Sequence, residues 1–413
     1  MRRALKLAAS AAIGLALSAG AAMSESIKIA FIDPLSGPFA TTGTNGLAEW
    51  EYAVEELVNK TGLAGEGNTF EIVAFDNKIS PKESLIQLQV AIDQGIRFIA
   101  QGNSSGVANA LTEAINKHNR RNPDDRVLFI NYSAVDPALT NDKCNFWHFR
   151  FDANADIKMD ALSDVIKGND AIKKVYLIGQ DYSFGKAVAA AAVKYIGEKR
   201  PDIEIVGNEL HPIGKVKDFT PYARKITASG ADAIITGNWG ADMVGLGKSV
   251  ISGGFEGPIY TYYAAANGIT KTFGADGKGA INQIGEGALN PPASDRAEAY
   301  VRGFKAKNPD FDITQARITN AAEMLARAIA VAGPTDVVAI AKELEGMEHD
   351  SIWGGKIFMR PEDHQAIQDV HIFSHTDENI TFDFDNSGYG LLVNSTVEMA
   401  AMDSPTTCKM KRP

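Results

Sequence analysis

From Ser26 onward the chain alternates short apolar runs with segments of helical spacing, and it does so in two successive series. The first runs through "SIKIAFID", "TFEIVAFDN", "IRFIAQG" and "RVLFINYS". Between these lie "LAEWEYAVEELVNK", "PKESLIQLQVAIDQ" and a helical segment from about Val107. The second, beyond Cys144, runs through "KKVYLIGQD", "DIEIVGNE", "ADAIITGNW" and "GPIYTYYA", with the helical "FGKAVAAAAVKYIGEK", "TPYARKITAS" and "ADMVGLGKSVIS" between them. Short strands that are apolar on both faces need cover on both sides, and helical crossovers make such strands parallel. Two series therefore predict an α/β chain of two doubly wound parallel-sheet lobes. Its length of 413 residues is more than one ordinary core accommodates.

No long structureless linker separates the series, so several strand-like crossovers are expected to join the lobes. The candidates are "WHFRFDA", "IGEGALNPP" and "FMRPEDHQAIQDVHIF". They divide the chain into residues 25–147 with 288–358 as one lobe, and 148–287 with 359–413 as the other, around an enclosed, hinged cleft.

Ligands of doubly wound sheets bind outside the carboxyl ends of the strands. The unusual residues gather there: "DPLSGPFATTG", "GNSSG", "NYSAVD", "QDYSFG", "TGNWG" and "TYYAAANG" end six strands, three from each series. In "GNSSG", the small hydroxyls of Ser104 and Ser105 and the amide of Asn103 admit two readings. They cap the helix that follows, or they join its free N–H groups in holding an anion. The concentration of polar and aromatic residues at six strand ends favours the anion.

Two catalytic patterns are missing from the sequence, H-E-x-x-H and the G-x-x-x-x-G-K-[ST] loop, and its G-x-S-x-G match is "GNSSG" itself. The seven histidines are dispersed, and His364 and His371 lie in a stretch read as turn into strand, a structural role. No metal site, cofactor or enzymatic activity is expected.

The first residues, "MRRALKLAASAAIGLALSAGAAMSES", combine a cationic start, a short apolar stretch and small residues, the pattern of a cleavable signal peptide over residues 1–24. Loss of Arg2, Arg3 and Lys6 with it moves the formal net charge from −10 to −13. So acidic a protein is a poor partner for nucleic acid. In an oxidising compartment the two cysteines, Cys144 and Cys408, are expected to pair.

The series "IKIAFIDPLSGPFATTGTNG", "FDNKISPKESLIQLQVAIDQGIRFIAQGNSSGVANAL", "NYSAVDPALTNDKCNFWHFRFDANAD", "GQDYSFGKAV" and "SGADAIITGNWGADM" resembles the type I periplasmic solute-binding proteins of ABC importers, the leucine/isoleucine/valine-binding group. The resemblance covers nearly the whole chain beyond the leader. It implies a periplasmic monomer whose lobes close on a small-molecule ligand and dock on membrane permease subunits. It places the ligand's carboxylate at Ser104 or Ser105, beside Asn103. It also puts Ser133 and Val135 beside the ligand's ammonium, with Ala134 between them among the binding residues, and an aromatic at Phe184 against the ligand.

Two positions depart from the group's pattern: Val135 stands where a threonine is expected, and Tyr262 or Tyr263 where an acid is expected. Asp136 serves the ammonium instead if the register is shifted by one. Tyr182, Asn238 and Trp239 complete the expected binding residues. The resemblance implies a branched-chain or related amino acid as ligand. The departures point instead to an aromatic or short-chain acid or amide, and a periplasmic sensor or a hydrolase on the same scaffold are the rival functions.

Overall fold

The computed structural model describes residues 26–413. The leader assigned to residues 1–24, with its cleavage site, lies outside the described residues. The first series folds as β1 (Ser26–Asp33), α1 (Ala40–Ala53), β2 (Thr69–Asp76), α2 (Pro81–Asp93), β3 (Phe98–Gln101), α3 (Ser105–Arg121), β4 (Leu128–Asn131) and β5 (His148–Arg150). Its five strands form one parallel sheet in the order β2-β1-β3-β4-β5. The order reverses between β1 and β3, which leaves a crevice at their carboxyl ends.

The second series folds as α4 (Ala155–Lys167), β6 (Lys174–Gln180), α5 (Ser183–Lys199), β7 (Glu204–His211), α6 (Thr220–Ala228), β8 (Ala233–Thr236), α7 (Gly240–Ser252), β9 (Ile259–Thr261), α8 (Ile269–Phe273) and β10 (Ile281–Gly285). Strands β7-β6-β8-β9-β10 run parallel, with the corresponding reversal between β6 and β8. The chain then returns to the first lobe as α9 (Asp295–Lys307), α10 (Arg317–Ala332) and α11 (Val337–Leu344). Their buried residues share a core with the first sheet.

The last part of the chain adds what the parallel reading did not contain. A small antiparallel sheet is built from β11 (Glu348–Asp350), β12 (Lys356–Met359) and β13 (Ala366–Ile367). Strands β14 (Val370–Thr376) and β15 (Gly390–Val397) then extend the second sheet beyond β10, each antiparallel to its preceding neighbour. After the short helix α12 (Met399–Met402) the chain turns back to the first lobe. There Thr406 donates to Thr140 O at 2.8 Å, and Cys408 is disulfide-bonded to Cys144 with Cα atoms 5.7 Å apart.

Helix α1 begins earlier than the apolar spacing implied, at Ala40 inside the stretch "DPLSGPFATTG", read as the end of the first strand. A Cβ at Gly43 would stand 1.8 Å from Pro34 O. The glycine lets the first turn of α1 lie directly on the end of β1. The second lobe repeats the device, since a Cβ at Gly185 would stand 1.9 Å from Gln180 O. In both lobes glycine brings a helix start close against the strand end that faces the cleft.

Candidate functional site

One cavity lies between the lobes, lined by the loops that follow β1, β3, β4, β6, β8 and β9, the six strand ends singled out in the sequence. Asp33, fully buried at the end of β1, organises the first-lobe side. Its carboxylate accepts from Gly102 N and Asn103 N, both at 3.0 Å, and from the Tyr132 hydroxyl at 2.5 Å. Burial pushes its pKa up to about 7 against the pull of these hydrogen bonds. A Cβ at Gly102 would stand 2.5 Å from the Tyr132 ring, so the loop fits only with glycine there.

Tethered in this way, the chain enters α3 through Ser104 at φ 80°, a left-handed conformation that serine rarely adopts. The Ser104 side chain does not cap the helix. Its hydroxyl, and the backbone N–H groups of Ser105 and Gly106, make no hydrogen bond among the described residues, and all three residues lie at the cleft end of α3. Ser105 Oγ accepts from Asp136 N at 3.2 Å, which ties the loop after β4 to the start of the helix. Strained backbone and unused donors at a helix N-terminus suit an anion better than a cap.

The second lobe supplies rings. Tyr182, Phe184, Trp239, Tyr262 and Tyr263 line the cavity opposite Asn103, Ser104, Ser105, Ser133, Ala134 and Val135. Trp239 Nε1 donates to the Tyr182 hydroxyl at 2.9 Å, and Tyr262 donates to Ala155 O at 2.8 Å. The Tyr263 hydroxyl reaches across to Ser133 O at 3.3 Å. Phe39, from the loop after β1, packs on Trp239 with ring centroids 4.3 Å apart, so the lobes meet over the cavity.

Asn238 is corrected: it does not line the cavity. It is fully buried beneath the turn, its side-chain amide paired with His211 Nε2 at 2.9–3.1 Å. The turn after β8 sends adjacent side chains to opposite sides, and Trp239 takes the cleft. Asp136 is also engaged elsewhere. Its carboxylate caps the helical turn Pro137–Thr140 through Ala138 N and accepts from Asn109.

A buried ionic cluster went unread in the sequence. Arg317, at the start of α10, lies 2.9 Å from Asp152, and Lys158 of α4 lies 2.6 Å from Asp152 and 3.3 Å from Glu286. All four side chains are nearly inaccessible to solvent, and Lys158, Glu286 and Arg317 line the cavity. Burial raises the carboxyl of Asp152, but the charges of Arg317 and Lys158 outweigh it and hold the pKa low. Glu286 is pushed up to about 7, by burial first and then by Asp152. Asp152 therefore carries the firm negative charge of the pair. In the sequence Asp152 and Glu286 sit in stretches read as crossovers, and the stretches of Lys158 and Arg317 stand without a reading. The one usable signal was "GEG" around Glu286, an acid between glycines in a crossover.

The periplasmic binding protein family profile matches residues 26–379. The chain belongs to the periplasmic binding proteins. This periplasmic binding protein is 30% identical over 416 residues to Leu/Ile/Val-binding protein homolog 4 of Brucella abortus, covering 98% of this chain and 97% of that one. Its fold matches that of the leucine-, isoleucine-, valine-, threonine- and alanine-binding protein of Brucella ovis in a closed conformation. The TM-score is 0.81 at 28% identity, over 94% of this chain and 100% of the other. It shares the fold of a solute-binding protein of Rhodopseudomonas palustris in complex with p-hydroxybenzoic acid. There the TM-score is 0.78 at 20% identity, over 91% and 98% of the two chains. The family is one of solute-binding transport proteins of the periplasm, not a class of enzymes.

Proposed function

We propose that this periplasmic binding protein is the solute-binding component of an ABC importer, and that its ligand is a small amphipathic carboxylate. Ser104 carries the reading: a serine in left-handed conformation whose hydroxyl, with the free N–H groups of α3, lines the cavity between the lobes. The ligand's carboxylate binds there, and its apolar body lies against Phe184, Tyr262 and Trp239 of the second lobe. The names of the Brucella relatives support a branched aliphatic body. The five rings of the second lobe support a second reading, an aromatic body.

In this reading the protein acts as a monomer, is exported by its leader, delivers the closed complex to permease subunits and performs no catalytic turnover. Calorimetric titration with a panel of small branched and aromatic carboxylates tests it. Tight 1:1 binding that Ser104→Ala weakens is expected. Turnover of amides or esters, or binding indifferent to Ser104, would overturn it.

A further inference from the structure

The chain passes between the lobes three times, after β5, after β10 and between β13 and β14. Its C-terminal segment makes a fourth passage. On the second lobe, β15 pairs with β14, Met399 N donates to Asp369 Oδ1 at 2.8 Å, and Met402 is 2% exposed in the core. From the next residue on, the bonds to other elements are with the first lobe. Arg360 follows β12, whose Ile357 and Met359 lie in the first-lobe core, and it donates to Asp403 Oδ1 at 2.7 Å and to Ser404 O. Thr406 donates to Thr140 O at 2.8 Å, Thr407 N donates to Asn141 Oδ1 at 3.0 Å, and Cys408 is bonded to Cys144. Met410 packs against the first-lobe core, and Arg412 donates to Pro361 O at 2.6 Å.

Met402 and Asp403 are thus neighbours in sequence held by different lobes, which leaves this passage without slack. Asp403 is exposed and Thr406 half-buried, and ion pairs or hydrogen bonds in contact with water contribute little each. Those contacts yield when the lobes are drawn apart; the disulfide does not. Cys408 follows Met402 by six residues, a stretch that spans at most about 20–22 Å when fully extended. With the bond closed, an opening that carries α12 away from Cys144 stops at that reach.

We propose that residues 403–408 form a covalently anchored strap across the hinge, which limits how far the lobes swing apart in the ligand-free protein. The proposal stands apart from the ligand reading. It is tested by small-angle X-ray scattering of the ligand-free intact protein in three forms: wild type, Cys144→Ser/Cys408→Ser, and a variant with three glycines inserted between Ser404 and Pro405. The insertion lengthens the strap by about 10 Å and leaves both cysteines free to pair, which mass mapping under non-reducing conditions checks. The radius of gyration is expected to shift upward in both variants. An unchanged radius in the insertion variant overturns the proposal, since the length of the strap would then not set the opening. An increase confined to the insertion variant also overturns it, because the bond would then not be what holds the strap. Should the cysteine variant fail to fold, the insertion variant decides alone.

Discussion

Ser104 holds a backbone conformation that costs on the order of 1–3 kcal/mol in a non-glycine residue, and its side chain makes no bond among the described residues to offset that cost. Stability and binding should therefore separate at this position. Ser104→Gly is expected to raise stability by about 1 kcal/mol in chemical denaturation while weakening ligand binding. Ser104→Ala keeps the strain and loses the hydroxyl, so binding should fall by about 1–3 kcal/mol with little change in stability. Equal affinity in all three forms would remove Ser104 from the site.

Glu286 makes a pH-dependent counterpart. Its pKa rises on folding to about 7, so the folded state binds the extra proton between the unfolded value and about 7. Its contribution to stability is then present below about 4.3 and lost as pH rises through about 7. Melting curves should show wild type losing ground to Glu286→Gln from pH 4.5 to 8. A difference that is flat with pH would mean that Glu286 stays ionised.

At the scale of elements, the strand–helix alternation was legible because each buried parallel strand must be apolar on both faces, as β3, β4 and β8 are. The cleft-facing strand ends were legible for the complementary reason: Ser104, Tyr182 and Trp239 are costly choices unless something uses them. What stayed hidden depends on distant pairing. Lys158 has a sequence pattern no different from that of a solvated helix lysine, and only the approach of Asp152 and Glu286 from two crossovers makes its burial tolerable. Asn238 was misplaced because the turn after β8 sends Asn238 and Trp239 to opposite sides, and the sequence does not say which one faces the cleft.

The C-terminal segment was half legible. The cysteine pairing could be expected from the compartment, but not the path that leads from β15 on the second sheet back to Cys144 on the first lobe. Closing a loop with a sequence separation of 264 restricts the unfolded chain by at most about 5.6 kcal/mol, and measured values fall below that. Cys408→Ser should lower stability by about 2–4 kcal/mol in denaturant titration. Mass mapping under non-reducing conditions should recover Cys144 and Cys408 as one peptide pair, and two free thiols in freshly isolated protein would contradict this.

For the whole molecule, a ligand can drive closure only through its preference for the closed form, so contacts made between the lobes add to the apparent affinity without touching the ligand. Phe39 is the clearest such contact. It leaves the first lobe after β1 and is 2% exposed among second-lobe residues, against Trp239 and beside Gly214 and Gly240. A Cβ at either glycine would approach the Phe39 ring to 2.8 Å, and both have positive φ, so the notch that receives it is made of residues that must be glycine. Opening the lobes withdraws Phe39 and exposes its ring. Burying such a side chain contributes about 1.5–3 kcal/mol, so Phe39→Ala should weaken binding by roughly ten- to a hundredfold. Because the loss falls on the closed complex alone, stopped-flow measurements should show it chiefly as faster release. Trp239 reports the same event: in wild type its emission should shift to the blue on ligand addition as Phe39 covers it, and that shift should shrink in Phe39→Ala. Unchanged affinity and an unchanged shift in Phe39→Ala would mean that closure is held by the ligand alone, with the Phe39 notch formed equally in the open protein.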